Sequence, residues 1–251
     1  MNEIKTYDIM DICLLAGKIM LVSGAETYRV EDTMTRIAIS YGAHNSHSFV
    51  TPTGIMLSIE GNEPTKTKLV RISERTTNLK KVTLVNSISR KIVAREIPLS
   101  EAYQQLKDIE KEHHTYPLYQ QILAAAFASG CFTIMFKGSF IDFLPSLICG
   151  GVGFYCLVLF HRLLSIKFFA EFTASVAIGI LSYLLIMIGI GDHMDKVIIG
   201  SVMPLVPGLL ITNAVRDLIA GHLVSGLSKG AEAFLTAFAI GSGVAVAISL
   251  L

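Results

Sequence analysis

The chain has 251 residues, of which 52% are hydrophobic and 16% are charged, and its mean hydropathy is +0.57. Soluble domains usually carry about 25% charged residues, so this composition argues against an ordinary soluble enzyme and against a disordered chain. The net charge of +1 gives no reason to expect nucleic acid as a partner.

Charge is distributed unevenly along the chain, and the change falls after Pro117. Residues 1–117 carry 15 Lys/Arg and 14 Asp/Glu, about a quarter of their number, whereas residues 118–251 carry six of each, about a tenth. The first part is therefore composed like a soluble domain and the second like a membrane protein. We expect two domains, at 1–117 and 118–251.

The first part carries the patterns of a small α+β domain. Apolar residues at helical spacing predict a helix over 6–22, and a capping-box pattern at 23–26 predicts that a second helix opens there and ends near Gly42. The other elements that we expect are two short strands in 47–59, a third strand in 66–73, and helices over 79–94 and 99–113.

The second part contains five apolar runs, each long enough to cross the hydrocarbon layer, which takes roughly 20 residues of helix. Five such runs predict an integral membrane α-helical bundle in contact with the lipid bilayer, preceded by the small α+β domain. The predicted transmembrane helices are 118–136, 141–161, 168–191, 197–216 and 231–251.

Lysine and arginine in the short connections predict the orientation of the bundle, since these residues favour the cytoplasmic side. The bias is small but consistent, and it places the N-terminal domain in the cytoplasm and the C-terminus outside. The charges expected on the cytoplasmic side are Lys107, Lys111, Arg162, Lys167, Arg216 and Lys229. The adjacent His113 and His114 precede the first run, where we expect an interfacial role.

The fourth run contains Pro204 and the pair Pro207-Gly208, which is a strong helix breaker. A break here frees backbone carbonyls that can bind a cation, and N–H groups that can bind a carboxylate, as broken helices of transporters do. A packed proline kink is the alternative.

Polar residues follow this break within a few turns. Asn213, Arg216 and Asp217 share one helix face, and His222 comes shortly afterwards. Charges within or at the edge of a membrane segment are costly, so they are usually functional or paired. The alternative is that Arg216 and Asp217 mark the cytoplasmic end of the helix.

Neither part carries the signature of an enzyme. The sequence has no G-x-S-x-G, P-loop or H-E-x-x-H motif, and no cysteine pair with C-x-x-C spacing. The charged residues of the second helix, among them Asp32 and Arg36, favour a solvated face of ion pairs. We therefore expect no enzyme activity, no metal and no cofactor.

Several segments resemble, in order, the threonine/serine exporter (ThrE/YjjP-like) family. Residues 24–32, GAETYRVED, resemble its G-A-E-…-V-E segment, and residues 51–54, TPTG, resemble the strand segment that follows. Its late transmembrane signature is similar to LVPG at 205–208, NAVRD at 213–217, Gly221-His222 and Gly226.

The resemblance implies proton-driven export of threonine and serine from the bacterial cytoplasm, across the cytoplasmic membrane, and some relatives are linked to dicarboxylates. The chain corresponds to the N-terminal half of fused members, which implies a split type that works with a second small membrane subunit in a hetero- or homo-oligomer. The family motif in the N-terminal domain corresponds to Ser23, Gly24, Glu26, Arg29, Glu31, Thr51 and Pro52.

These observations lead to a hypothesis for the transport site. The helix start at Pro207-Gly208 would face the carboxylate of a small-molecule substrate, Asn213 would supply hydrogen bonds, and Asp217 or His222 would couple a proton. The alternative is a non-transporting membrane sensor or scaffold whose N-terminal domain binds a partner.

Overall fold

The computed structural model describes residues 5–61, 63–112, 116–164, 166 and 168–251. His113, His114 and Lys167 lie outside these residues. The chain forms two compact units, of which one comprises Met1–Thr115 with Leu209–Gly230 and the other Tyr116–Gly208 with Ala231–Leu251. Residues 209–230, which the charge distribution assigns to the membrane part, are thus grouped with the N-terminal domain.

The N-terminal part of the first unit has the element order that the sequence predicts, with two helices, three strands and two helices. A helix, α1, is buried along most of its length and packs against the other three helices and the sheet. The elements are α1 (Thr6–Val22), α2 (Thr27–Ser40), β1 (Asn45–Thr51), β2 (Gly54–Glu60), β3 (Lys66–Arg71), α3 (Leu79–Val93) and α4 (Leu99–Lys111).

The three strands form one antiparallel sheet in the order β1-β2-β3. The tight turn at Pro52 and Thr53 sets the register, with Thr51 opposite Gly54. Ile55, Leu57 and Ile59 alternate along β2 and are fully buried, since successive strand residues point to opposite faces. The sheet therefore contributes one apolar face to the core of this unit.

The predicted capping box at 23–26 is wrong. Ser23 is the C-cap of α1, with its N–H bonded to the carbonyls of Ile19 and Met20, and the N-cap of α2 is Glu26, whose side chain makes no capping hydrogen bond. Gly24, at a φ of +88°, turns the chain between the two helices. The predicted stop near Gly42 is confirmed, because α2 ends at Ser40 and Gly42 has a φ of +94°.

The later helices include four that are long and apolar enough to cross a membrane, or five if a bent pair counts as one span. The four are α5 (Leu118–Met135), α6 (Phe143–Leu163), α7 (Phe169–Met187) and α10 (Leu223–Ser249). The bent pair consists of α8 (Met194–Val202) and α9 (Gly208–Ile219).

The fourth predicted span, 197–216, is not one helix. After α8 ends, a single 3₁₀ turn over Met203–Leu205 contains Pro204, Val206 is extended, and α9 begins directly after Pro207. The predicted break is confirmed, because neither proline can donate the backbone hydrogen bond that a continuous helix needs. The last helix also begins earlier than predicted, at Leu223 instead of 231.

Small residues allow close helix packing within the second unit. Gly153 of α6 lies against Ile178 of α7, and Gly179 of α7 lies against Ala247 of α10. Gly243 of α10 lies against Phe172 of α7. From Phe172 to Gly179 along α7, the facing residue of α10 thus changes from Gly243 to Ala247, so residue numbers rise in the same direction in both helices. Helices α7 and α10 are therefore parallel, and glycine is needed because a side chain would clash with the facing helix.

Candidate functional site

The candidate site lies within the first unit, where α9 and the first turns of α10 meet the start of α2. Its centre is Asp217, whose side chain is fully buried. One carboxylate oxygen accepts the backbone N–H of Thr27 at 2.9 Å, and the other accepts the Thr27 hydroxyl at 2.8 Å. Asp217 thus binds two donors of one residue, at the N-terminus of α2, where an acidic group is electrostatically favoured.

Lys229 neutralises this buried carboxylate. Its side chain is only 3% exposed, and its Nζ donates to Oδ2 of Asp217 at 2.7 Å and to the Thr27 hydroxyl at 3.1 Å. Ser225, one turn earlier on the same face of α10, lies 2.5 Å from the Thr27 hydroxyl and donates to Asp217 at 3.3 Å. Four side chains from α2, α9 and α10 therefore form a closed polar network, with a buried charge of each sign.

An ion pair at the N-cap of α2 extends this network. The Arg216 guanidinium donates to one carboxylate oxygen of Glu26 at 2.5 Å, and Arg29 donates to the other at 3.3 Å. Burial by itself raises the pKa of Glu26, but hydrogen bonds from its own backbone N–H and from Arg216, together with the nearby charge of Arg29, outweigh that effect. The net pKa of Glu26 lies below its ordinary value, so this carboxylate is ionised at neutral pH.

Asn213 contacts the turn that precedes α2. Its amide donates to the carbonyl of Gly24 at 2.9 Å, and its side chain is buried. Gly24 has a φ of +88°, a backbone conformation that residues with a side chain rarely adopt. Asn213 therefore holds the segment that resembles the family motif from the side of α9.

A second carboxylate of α2 faces His222. Glu31 accepts the backbone N–H of Val50 at 2.9 Å with one oxygen, and the other lies 3.7 Å from Nδ1 of His222. Burial raises the pKa of Glu31, and the negative charge of Asp217 adds to this, while the Val50 hydrogen bond and His222 act in the opposite direction. The net pKa of Glu31 is raised, which is the reverse of Glu26 less than two turns away.

The structure brings together many of the site residues that the sequence singled out. Asn213, Arg216, Asp217 and His222 each contact the segment 24–31 of the N-terminal domain. Thr51 and Pro52 lie instead at the β1–β2 turn, where the Thr51 hydroxyl donates to the Gly54 carbonyl at 3.3 Å. Pro204, Pro207 and Gly208 flank the helix break and are grouped with the second unit.

The interpretation that Arg216 and Asp217 mark the cytoplasmic end of the helix stays a prediction. The Asp217 side chain is 0% exposed, while that of Arg216 is 57% exposed. Arg216 and Asp217 thus lie in different environments, the first largely solvated and the second buried.

Sequence reasoning missed three members of the network, Thr27, Ser225 and Lys229. We expected Lys229 to be a cytoplasmic loop charge, but it lies on α10 and is almost fully buried. The available signal was the spacing of Ser225 and Lys229, which places a hydroxyl and a charge on one face of an apolar helix.

The second unit contains another buried carboxylate, Asp142. It accepts the backbone N–H groups of Ser139, Asp192 and His193 at 2.8 to 3.0 Å, and its Oδ2 lies 2.9 Å from Nδ1 of His193. These contacts join the α5–α6 and α7–α8 connections. Within the part of the chain that the structure describes, no group of three or more His, Cys, Asp or Glu side chains could hold a metal ion.

Curated relatives match nearly the whole chain. It is 26% identical to the "Probable succinate transporter subunit YjjP" of Klebsiella aerogenes, over 95% of this chain and 92% of that protein. It is 22% identical to the "Probable threonine/serine exporter" of Mycobacterium tuberculosis, over 99% of this chain but only 47% of that protein. It is also 26% identical to the "Pheromone-regulated membrane protein 10" of Eremothecium gossypii, over 93% of this chain and 32% of that protein.

No solved structure matches the chain. A family model does, and it covers residues 11–251 under the description "Putative threonine/serine exporter". That match takes in almost all of both compact units, including the whole network around Asp217. The chain therefore belongs to the ThrE family, whose members are membrane transporters rather than enzymes.

Proposed function

We propose that the chain is one subunit of a proton-driven exporter of small polar metabolites, with threonine and serine as the favoured substrates. It works with a second small membrane subunit in the bacterial cytoplasmic membrane. Family membership supports transport, and the word "subunit" in the name of the YjjP relatives supports a partner. The mycobacterial relative, about twice as long, is consistent with a fused form of two such halves.

The observation that carries the substrate proposal is the contact between Asp217 and Thr27. The carboxylate binds an N–H and a β-hydroxyl that belong to one residue. Free threonine and serine carry an ammonium group and a β-hydroxyl on the same two adjacent carbons. Asp217, with Ser225 and Lys229 around the hydroxyl, therefore offers the chemistry that a β-hydroxy amino acid would use once Thr27 moves aside.

A dicarboxylate is the second candidate substrate, because the YjjP relatives are named succinate transporter subunits. Such a substrate brings two negative charges, and three carboxylates (Glu26, Glu31 and Asp217) already lie in this region. Two cations, Lys229 and Arg216, would first have to leave their present partners. The mixed charge of the site therefore favours a substrate with one charge of each sign.

The remaining roles follow from the same arrangement. The first turn of α9, after Pro207, would face the substrate carboxylate with the positive end of the helix dipole, and Asn213 would hold the adjacent turn. Asp217 and His222 are the candidates for proton coupling within this network. A proton gained or lost by either side chain would change its interaction with its partner, which is Lys229 for Asp217 and Glu31 for His222.

The direction of α7 and α10 supports a topology of five crossings. Two parallel spanning helices require that the chain between them returns across the membrane an odd number of times. The bent pair of α8 and α9 would make that one return. With the positive connections inside, the N-terminal domain lies in the cytoplasm and the C-terminus outside.

The test is uptake of labelled threonine into inside-out vesicles that contain the chain and the proposed second small membrane subunit. Asn213→Ala and Asp217→Asn should abolish uptake, and unlabelled serine should compete more strongly than succinate. Asp32→Asn is the matched control, because Asp32 lies on α2 but is 53% exposed and pairs only with Arg36 in the described structure. Unchanged transport in the two site variants would remove these assignments, and stronger competition by succinate would reverse the choice of substrate.

A further inference from the structure

The second unit contains a partly buried acid that the network around Asp217 does not involve. Glu171 lies in the first turn of α7, one of the candidate spanning helices, and its side chain is only 14% exposed. Its Oε1 lies 3.3 Å from Nε2 of His161, at the end of α6. Its Oε2 is sealed from solvent, and it has no hydrogen-bond partner among the residues that the structure describes.

Local packing holds this acid in place. The rings of Phe160 and Phe169 meet edge to face with centroids 6.4 Å apart, which joins the end of α6 to the start of α7. Phe168, just before α7, has a φ of +67°, a left-handed conformation that is strained for a bulky side chain. The Ser175 hydroxyl donates to the Glu171 carbonyl at 2.8 Å, which leaves the carboxyl group free of that serine.

Two physical effects on Glu171 oppose each other. Burial with one oxygen unpaired disfavours the charged form, because a carboxylate loses its hydration there. The position in the first turn of a helix and the neighbouring His161 favour the charged form. The unpaired Oε2 and the contact with His161 give this carboxyl group an oxygen that can carry a proton and a neighbour that can supply one.

Other charged groups on the elements that pack against α7 are few among the described residues. Helix α6 carries Arg162 beside His161, and α10 carries Glu232 in its first half together with Lys229, which is paired with Asp217. Helix α8 carries Asp195 and Lys196, which lie 3.1 Å apart in a pair of their own. The Glu171 carboxyl therefore has His161 as its closest titratable partner in the described structure.

We propose that Glu171 and His161 form a proton-binding site of the transmembrane unit. Protonated His161, which is 52% exposed, gives its Nε2 proton to Oε1 of Glu171. This step leaves a neutral imidazole and a neutral carboxyl, and His161 then takes a new proton from water. The role of this site in coupling rests on the proposed proton-driven transport, whereas its ability to bind a proton does not.

The test uses a hydrophobic carbodiimide, which reacts with protonated carboxyl groups in apolar surroundings, on the purified full chain in lipid nanodiscs. We expect labelling of Glu171, mapped by mass spectrometry, that falls as the pH rises, because only the protonated carboxyl group reacts. His161→Asn should shift the midpoint of this pH profile, because it removes the partner that supplies the proton. Glu171→Gln should lose this label while labelling elsewhere stays the same.

Labelling of Glu171 that does not change with pH, or a midpoint that His161→Asn leaves in place, would overturn the proposal. Asp195→Asn is the control, since it removes an exposed carboxylate of the same unit and should leave the midpoint unchanged.

Transport vesicles then separate this site from the proposed function. Glu171→Gln should lose uptake driven by a pH gradient but keep the exchange of labelled for unlabelled substrate. If the wild type shows no gradient-driven uptake while the labelling result stands, the proton-driven function fails and the proton site remains.

Discussion

Each compact unit buries one aspartate completely, but the two units satisfy it in different ways. Asp142 of the second unit is held largely by backbone N–H groups of two nearby connections. Asp217 of the first unit is held by side chains, including the buried ammonium group of Lys229, and by Thr27, which is 190 residues distant in the sequence.

The difference indicates different tasks. Backbone donors cannot leave without unfolding the connection that carries them, so the contacts of Asp142 join two loops permanently. Side-chain partners can rotate away and be replaced by the charged groups of a ligand, so the contacts of Asp217 can be exchanged. The network in the first unit therefore suits a binding or gating role, and the cluster in the second unit suits a structural one.

The sharpest test of this contrast is to remove the lysine. Lys229→Met leaves Asp217 buried without its cation and should lower the free energy of unfolding by about 3–5 kcal/mol. The double variant Asp217→Asn/Lys229→Met should recover much of this loss, because no buried charge remains. Unfolding of the purified chain in detergent measures both, and a double variant no more stable than the single one would contradict the assignment.

Asp142→Asn should have the next largest effect, with a loss of about 1.5–3 kcal/mol for hydrogen bonds to a charged group. The amide N–H₂ would also face backbone donors that need an acceptor. Asp195→Asn, on an exposed side chain of the same unit, should stay within about 0.5 kcal/mol. Equal stability of the two variants in thermal unfolding would show that the Asp142 cluster is not structural.

Glu26 and Glu31 should make the free energy of unfolding depend on pH in opposite directions. The pKa of Glu26 is lowered, so its contribution is present above the ordinary value of 4.5 and is lost as the pH falls through the folded pKa. The pKa of Glu31 is raised above 4.5, so the fold is favoured when Glu31 is protonated and loses stability as the pH rises through the folded pKa.

Unfolding measured against pH in the variants separates these contributions. Glu26→Gln should reduce the loss of stability at acidic pH, and Glu31→Gln should reduce the loss that follows as the pH rises from 4.5 through the folded pKa of Glu31. Slopes that change in the same direction in both variants would refute the opposite environments of the two carboxyl groups.

The smallest effect should come from the solvated face of α2. Asp32 and Arg36 pair at 2.9 Å, with side chains 53% and 63% exposed. Arg36→Ala should therefore change stability by about 0.5 kcal/mol or less, and less still in high salt. A larger loss would indicate that this face is covered by a partner in the assembled protein.

Local patterns in the sequence predicted most elements of the fold. The order of helices and strands up to residue 112 is confirmed, as are the break around Pro207 and the stop near Gly42. The capping box at 23–26 failed because Ser23 and Gly24 end α1 before α2 begins at Thr27. A pattern of four residues cannot reveal which of two adjacent helices it belongs to.

The sequence by itself determined the two compositions, the helical runs, the broken fourth span and the family resemblance. These features depend on neighbouring residues, because helix periodicity, apolar length and proline geometry act over a few turns. Only the tertiary structure decided that Asp217 and Lys229 are buried together at the start of α2. The partner of a charge depends on how segments some 190 residues apart pack against each other, and no local pattern records that.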